Sequence, residues 1–255
     1  MASGRMTESR AGENIHMSNH GQGEATAYTF MVDKDFGNLS THLGYTNMEA
    51  TDLMALTSAQ AESSYSRQVW TDNTENLSLG MTYKDDKFSL SVDAYMITVE
   101  DRISMSETFR GSGTSSNMVD FFAERGVPAA AGRYFFNGID TETNGLDIVA
   151  TMREDVAGGS LLLKAAMNFN DTEVTNKGDL ETPAELAAYT SSVLLGRANT
   201  VRYESSSPSE NFQFSATLQK PSSTWMVKLN RWGEVTIPAS SVEREQVLSS
   251  KTTVD

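Results

Sequence analysis

The histidines are the side chains in this sequence best suited to bind a metal ion, and their spacing decides whether they do. His16 and His20 are four residues apart, which places two ligands on one face of a helix. Met17 stands where a zinc protease of the His-Glu-x-x-His type has its glutamate, and the surrounding residues are typical of a loop. We therefore expect no metal site, and we interpret residues 1–23 as a polar leader or loop.

The carboxylates offer the second possible chemistry, which is proton transfer. Asp93, Glu100 and Asp101 fall in one stretch, but an acid/base pair needs two carboxylates at a defined separation. Arg102 follows directly, so a local charge pair explains the stretch more simply. The glycine-rich residues 110–116 lack the Gly-Lys pair of a phosphate-binding loop, and the sequence has neither a Gly-x-Ser-x-Gly motif nor a cysteine. We predict a protein that is not an enzyme and has no catalytic residues and no cofactor.

Net charge and hydropathy narrow the class of partner. The formal net charge of the 255 residues is -14, which argues against a nucleic-acid partner because phosphate binding needs a basic surface. No run of about 18 apolar residues is present, so the sequence predicts no transmembrane helix. Residues 1–23 also lack the apolar stretch of a secretory signal peptide.

Alternation of apolar and polar residues is the dominant pattern, and it determines the fold class. Leu77, Leu79, Met81 and Tyr83 alternate with small or polar residues, so they share one face of a strand. The same pattern resumes after a polar turn, at residues 88–96, which predicts a hairpin. The unit recurs at residues 28–45, 146–169 and 212–229, giving eight strands in four hairpins, and a ninth strand is expected to start at residues 251–255.

Strand and loop lengths favour a membrane barrel within the all-β class. Runs of about 9–11 residues suffice for a tilted strand to cross a bilayer. The turns inside the hairpins are short, whereas residues 46–75, 100–136 and 171–202 are predicted to be long loops on the other side. We expect the polar strand faces to line a lumen; they carry Lys84, Asp93, Asp147, Lys164, Lys228 and Asn230, with His42 as a further lining residue. A large soluble sandwich or solenoid would show the same alternation.

Two short helices are expected inside the long loops. Thr182 and Pro183 are suitable to start a helix within residues 182–199, where apolar residues fall at helical spacing. Residues 119–124 are predicted to form a helical turn. Aromatic residues near strand ends, at Tyr28, Tyr45, Tyr83 and Trp225, match the girdles of membrane barrels.

Several longer phrases resemble the barrel of TonB-dependent outer-membrane receptors. Residues 76–104, NLSLGMTYKDDKFSLSVDAYMITVEDRIS, are similar to one barrel hairpin of that family. Residues 133–155, RYFFNGIDTETNGLDIVATMRED, resemble the phrase that opens its next strand, and residues 161–174 resemble the strand after that. Residues 23–52 and 57–65 are similar to an earlier hairpin. The resemblance therefore covers most of residues 23–255.

This resemblance implies a fold, a location and partners. The family has about 22 strands around a plug, lies in the outer membrane of Gram-negative bacteria and takes up scarce ligands such as iron–siderophores, cobalamin or glycans with energy from the TonB complex. Residues 24–255 then form a partial barrel of eight or nine strands, an internal or C-terminal piece without plug or signal peptide, with edges expected near Tyr28 and Val254. The ligand-binding residues stay unknown. The alternatives are a soluble or surface-displayed β-rich carbohydrate-binding protein and an enzyme built in a barrel, such as a phospholipase.

Overall fold

The computed structural model describes residues 13–18, 24–53, 69–111, 113, 116–156, 158–178 and 180–255, and most of them belong to one antiparallel sheet. Its ten strands pair in chain order; at one edge, the last strand pairs with β9 although two short strands lie between them in the sequence. The strands are β1 (Glu13–Ser18), β2 (Glu24–Phe36), β3 (Leu39–Leu53), β4 (Val69–Lys84), β5 (Phe88–Met105), β6 (Phe135–Val156), β7 (Gly159–Val174), β8 (Glu210–Lys220), β9 (Ser223–Trp232) and β12 (Lys251–Val254). Strands β10 (Val235–Ile237) and β11 (Gln246–Leu248) form a separate hairpin.

Tight turns connect the strands at one end of the sheet. Gly37 between β2 and β3 and Gly158 between β6 and β7 have φ angles of 69° and 79°, a left-handed conformation that glycine adopts without a steric penalty. In the turn between β4 and β5, the Asp85 carboxylate accepts hydrogen bonds from the backbone amides of Lys87 and Phe88 at 2.9 and 2.8 Å. These two amides lower the pKa of the Asp85 carboxyl, because they stabilise its charged form.

The opposite end of the sheet carries a folded body that we call the loop module: the described residues of 106–134, 175–209 and 233–250. It contains helices α1 (Met118–Ala123), α2 (Ala184–Ala187) and α3 (Arg197–Glu204), a 3₁₀ turn at Val242–Arg244 and the β10–β11 hairpin. Helix α1 starts where the Asn117 side chain accepts hydrogen bonds from two backbone amides. No helix in the described part of the chain is long and apolar enough to cross a membrane.

The buried core of the protein lies where the loop module meets the strand ends. Its buried apolar side chains come from both long connections and from the extended strands: Phe109, Met118, Phe136, Ile139, Val174 and Leu194. Hydrogen bonds join the connections to one another, for example from the Thr190 hydroxyl to the Arg110 carbonyl at 2.8 Å and from the Glu107 amide to the Leu194 carbonyl at 3.1 Å. The long connections therefore form one packed unit rather than separate loops.

The predicted strands are confirmed, and the differences concern their ends. All eight predicted strands and the ninth at residues 251–255 are present, and the sheet is all-β and antiparallel as expected. The strands extend well into the predicted loops: β3 runs to Leu53, and β6 begins at Phe135. The extension of β3 is mostly polar, and that of β6 holds Phe135, Phe136 and Ile139 without a period of two, so the alternation gave no signal for them.

Two further predictions need correction. Strand β1 lies inside residues 1–23, which we interpreted as a leader or loop, and it makes β1 rather than Tyr28 one edge of the sheet, whereas Val254 is at the other edge as expected. The helix predicted for residues 182–199 divides into α2 and α3, with residues 188–196 outside both. The helical turn predicted at residues 119–124 is confirmed by α1.

Candidate functional site

The apolar face of the sheet is exposed. Side chains near its middle and its edge, such as Leu79 and Trp225, are 61% and 69% exposed. Among the described elements, strands contact their neighbours and helix α3 contacts β7 and β10, and no second sheet covers the apolar face. A β-sandwich would bury that face against its second sheet, about 10 Å away. The described residues therefore do not form the sandwich that the alternation alone allowed.

The position of the apolar stretch along each strand shows a regular drift across the sheet. The cross-strand row that starts at Phe36 on β2 reaches Leu229 on β9. The apolar stretch of β2 is centred on Val32, on the loop side of this row, whereas that of β9 is centred on Val227, on the turn side. The centre of the apolar stretch thus moves by about six residues along the strand direction while the sheet is crossed in about seven strand-to-strand steps. At ordinary strand dimensions this is ~20 Å along the strands over ~34 Å across the sheet.

This drift corresponds to strands tilted by about 30° from the normal to the apolar band, close to the ~35–45° of strands in membrane barrels. In a sheet that does not lie in a bilayer, nothing requires the apolar stretches of tilted strands to form one straight band. A band that stays level across eight sheared strands is the arrangement that a bilayer requires.

The opposite face of the sheet is polar, and one cross-strand row on it carries three aspartates and a histidine. We call this set of seven directly paired residues the polar row: Asp33, His42, Gly80, Asp93, Asp147, Asn168 and Asn211. The row crosses strands β2 to β8. It lies level with the middle of the apolar band on β2 to β5 and closer to the loop end on β7 and β8. The face that carries it is called the inner face below.

A glycine allows two members of the polar row to meet across an intervening strand. His42 Nε2 on β3 lies 3.3 Å from Asp93 Oδ1 on β5, and Gly80 of β4 lies between them. A Cβ atom at Gly80 would overlap both side chains. The Ser91 hydroxyl donates a hydrogen bond to Asp93 Oδ2 at 2.9 Å. The carboxylate thus has two partners although it stands on an open sheet face.

The two central carboxylates of the polar row face each other without an intervening cation. Asp93 and Asp147 are direct cross-strand partners, an arrangement that is unfavourable for like charges. Asn168 offsets part of this repulsion, because its Nδ2 donates a hydrogen bond to Asp147 Oδ1 at 2.6 Å and its Oδ1 accepts one from Asn170 at 2.8 Å. Charges arranged in this way need water, so the inner face is suited to a hydrated lumen and not to lipid.

The loop module covers the inner face at its loop end. Thr141 and Val174 are cross-strand partners, each six residues beyond the polar row on its own strand and on the same face, and both are almost fully buried. Helix α3 packs there: Glu204 Oε1 accepts hydrogen bonds from the Val174 amide at 3.0 Å and from Lys177 Nζ at 2.7 Å. A bidentate ion pair between Arg197 and Glu245, at 2.7 and 2.8 Å, joins this helix to the β10–β11 connection.

The residues considered for chemistry are not brought together. Asp93 is on the inner face, whereas Glu100 pairs across to Asn73 on the outer side, and the backbone amide of Asp101 donates to Asp140 Oδ1. Among the described residues no group of three or more His, Asp or Glu side chains could hold a metal ion. The main chain at His16 is in β1, and His20 lies outside the described residues.

The predicted lining residues do lie on the inner face. By the observed register, these are His42, Lys84, Asp93, Asp147, Lys164, Lys228 and Asn230. The sequence signal missed the contact between His42 and Asp93, because it depends on the register of three strands.

Comparison with known proteins supports the fold. No protein-family profile and no curated protein matches the sequence. Among solved structures, the chain is similar to the FrpB iron transporter from Neisseria meningitidis (F3-3 variant), with a TM-score of 0.50 and 12% sequence identity. The similarity covers 90% of this chain and 37% of the transporter chain, so this chain spans well under half the length of that protein. At this identity the likeness concerns the fold alone.

Proposed function

We propose that this chain is part of the barrel of a TonB-dependent receptor in the outer membrane of a Gram-negative bacterium. The observation that carries the proposal is the level apolar band: it is exposed on one face of a ten-stranded meander whose other face is polar. Lipid is then the partner of the apolar band. The similarity in fold to an iron transporter supports the same class.

The proposed activity is binding and passage of a scarce ligand, without covalent chemistry. The loop module would form part of the outer mouth, where a ligand such as an iron–siderophore, cobalamin or a glycan first binds. The polar row would line the hydrated interior, and the TonB complex would power passage in the intact protein. The similarity in fold to an iron transporter supports a role in transport but does not favour one of these ligands.

Membrane partition tests the first half of the proposal. The chain is expressed and the membranes are washed with alkaline carbonate; we expect it to stay in the membrane fraction and to need detergent for extraction. A chain that is monomeric in buffer without detergent would refute the barrel and favour the alternative of a soluble β-rich binding protein.

The DNA on both sides of the reading frame tests the second half. We expect a signal peptide and a plug domain to be encoded upstream and further alternating strands downstream. A reading frame that has neither nearby would separate the chain from transport, even if it inserts into membranes.

A further inference from the structure

A β-bulge near the loop end of β5 turns one arginine toward the inner face. Pairing between β5 and β6 is regular up to Val99 and Thr141. It continues with Arg102 opposite Ile139, and a second shift with Ile103 opposite Asn137 restores the original register. Two residues of β5 therefore oppose one residue of β6, which reverses the facing of Arg102. Without the bulge, Arg102 would lie on the outer face with the other even-numbered residues of β5.

Several side chains hold the bulge in place. Asp101 has a φ angle of 56°, a conformation that few residues other than glycine adopt. Its amide donates to Asp140 Oδ1 at 2.9 Å, and the amide of Asp140 in turn donates to Asn176 Oδ1 at 3.0 Å. Asn176 Nδ2 also donates to the Gly138 carbonyl. The facing of Arg102 is thus fixed by contacts from the sheet and from the loop module.

The guanidinium of Arg102 has neutral partners. Nη1 donates a hydrogen bond to Thr141 Oγ1 at 3.2 Å, and Cζ lies 5.5 Å from the centre of the Tyr203 ring. No carboxylate of the described residues is within ion-pair distance of it. The nearby carboxylate on α3, Glu204, is already bound by Lys177.

This arrangement differs from that of two cations in the neighbouring loop module. Arg197 and Lys177 each contact a carboxylate at 2.7 Å. Arg102 uses one of its five N–H donors on Thr141, in a chain with a net charge of -14. The Tyr203 hydroxyl beside it donates to Ser104 Oγ at 2.9 Å, so further hydroxyl groups line the same position.

We propose that Arg102 is a binding residue for a small soluble oxyanion: a ligand that presents a carboxylate or phosphate group to the inner face at the loop end. A guanidinium binds either group through two parallel hydrogen bonds, and a half-buried position strengthens the interaction. This inference deepens the proposed function and rests on it, because it names the chemical class of the ligand.

The test is a calorimetric titration of the full chain in non-ionic, lipid-free detergent, at low salt, with citrate and separately with inorganic phosphate. We expect saturable binding of at least one of them. Arg102→Gln is expected to weaken it by about tenfold or more, because a charge-assisted hydrogen bond is lost, and Arg102→Lys to weaken it less. Since the detergent contains no phospholipid, the signal comes from the soluble anion and not from a lipid headgroup.

Arg153→Gln is the matched control, since Arg153 lies on the same face of β6 at the turn end and is exposed. It removes the same charge, and we expect unchanged binding. Absence of saturable binding to the wild-type chain overturns the proposal whatever the variants do. Equal binding by folded Arg102→Gln also overturns it, because the anion would then bind elsewhere on the chain. A chain that needs detergent yet binds neither anion refutes this inference and leaves the barrel intact.

Discussion

Introducing an arginine at Leu79 should destabilise the protein strongly, because Leu79 lies in the middle of the apolar band. It is 61% exposed, between Leu43 and Ala94 in its cross-strand row, and the apolar stretch of β4 runs from Leu77 to Tyr83. An arginine on the lipid face near the bilayer midplane costs about 2–4 kcal/mol. That corresponds to a loss of about 30-fold to 1000-fold in the folding equilibrium constant.

The neighbouring residue Ser78 provides the control, because its side chain points to the inner face. We expect Ser78→Arg to change the free energy of unfolding by about 0.5 kcal/mol or less, because Ser78 is half-buried on the polar face and its hydroxyl makes only a long hydrogen bond, at 3.5 Å, to the Gly44 carbonyl. A second control, Tyr28→Arg, places the charge at the loop-side end of the band, where the penalty is about 0–1 kcal/mol. The three variants introduce the same charge at different faces and depths.

The assay is reversible unfolding by urea in lipid vesicles, followed by tryptophan fluorescence and by the mobility shift of the folded protein on unheated gels. We expect the loss of stability to be largest for Leu79→Arg, smaller for Tyr28→Arg and smallest for Ser78→Arg. The prediction would be refuted if Leu79→Arg were tolerated as well as Ser78→Arg, because that result would mean that Leu79 faces water.

Two further predictions concern the inner face and the turn end. Gly80→Ala should destabilise the chain by about 1 kcal/mol, because the added methyl group forces His42 away from Asp93, and this cost should shrink in a His42→Ala background. Urea unfolding of wild type, Gly80→Ala, His42→Ala and the double variant measures the free-energy cost of Gly80→Ala in each background. An equal cost in both backgrounds would contradict the prediction. The lowered pKa of Asp85 means that its contribution to stability is present above about pH 4 and is lost as pH falls through the folded-state pKa. Asp85→Ala should therefore be less stable than wild type at pH 7, and the difference should narrow below about pH 4; a constant difference would argue against it.

The sequence predicted the strands and their turns because both are local signals. Alternation marks which residues share a face, as in Leu77 to Tyr83, and Gly37 and Gly158 mark turns that need a left-handed residue. Strand β1 also alternates, with Ile15 and Met17 between polar residues, but it has only six residues and is flanked by polar ones, so it was interpreted as part of a leader or loop.

The core of the loop module and the contacts of the polar row could not be predicted from local sequence patterns, because they join residues that are far apart in the chain. Phe109 and Leu194 are buried in one core but are separated by more than eighty residues of chain, and no periodicity links them. His42 meets Asp93 only because the register brings Gly80 between them. The facing of Arg102 depends on a bulge, which changes the parity that alternation assumes.

The most direct test of the central claim is a spin-label scan of residues 88–96 of β5 in lipid vesicles. The chain contains no cysteine, so each single-cysteine variant carries one label. Collisions with oxygen, which concentrates in lipid, should peak at Phe88, Leu90, Val92, Ala94 and Met96. Collisions with a water-soluble nickel chelate should peak at the residues between them. Two accessibility profiles with period two and opposite phase would confirm that the apolar band faces lipid and the inner face water. Profiles in phase, or apolar positions reached by neither reagent, would contradict the account.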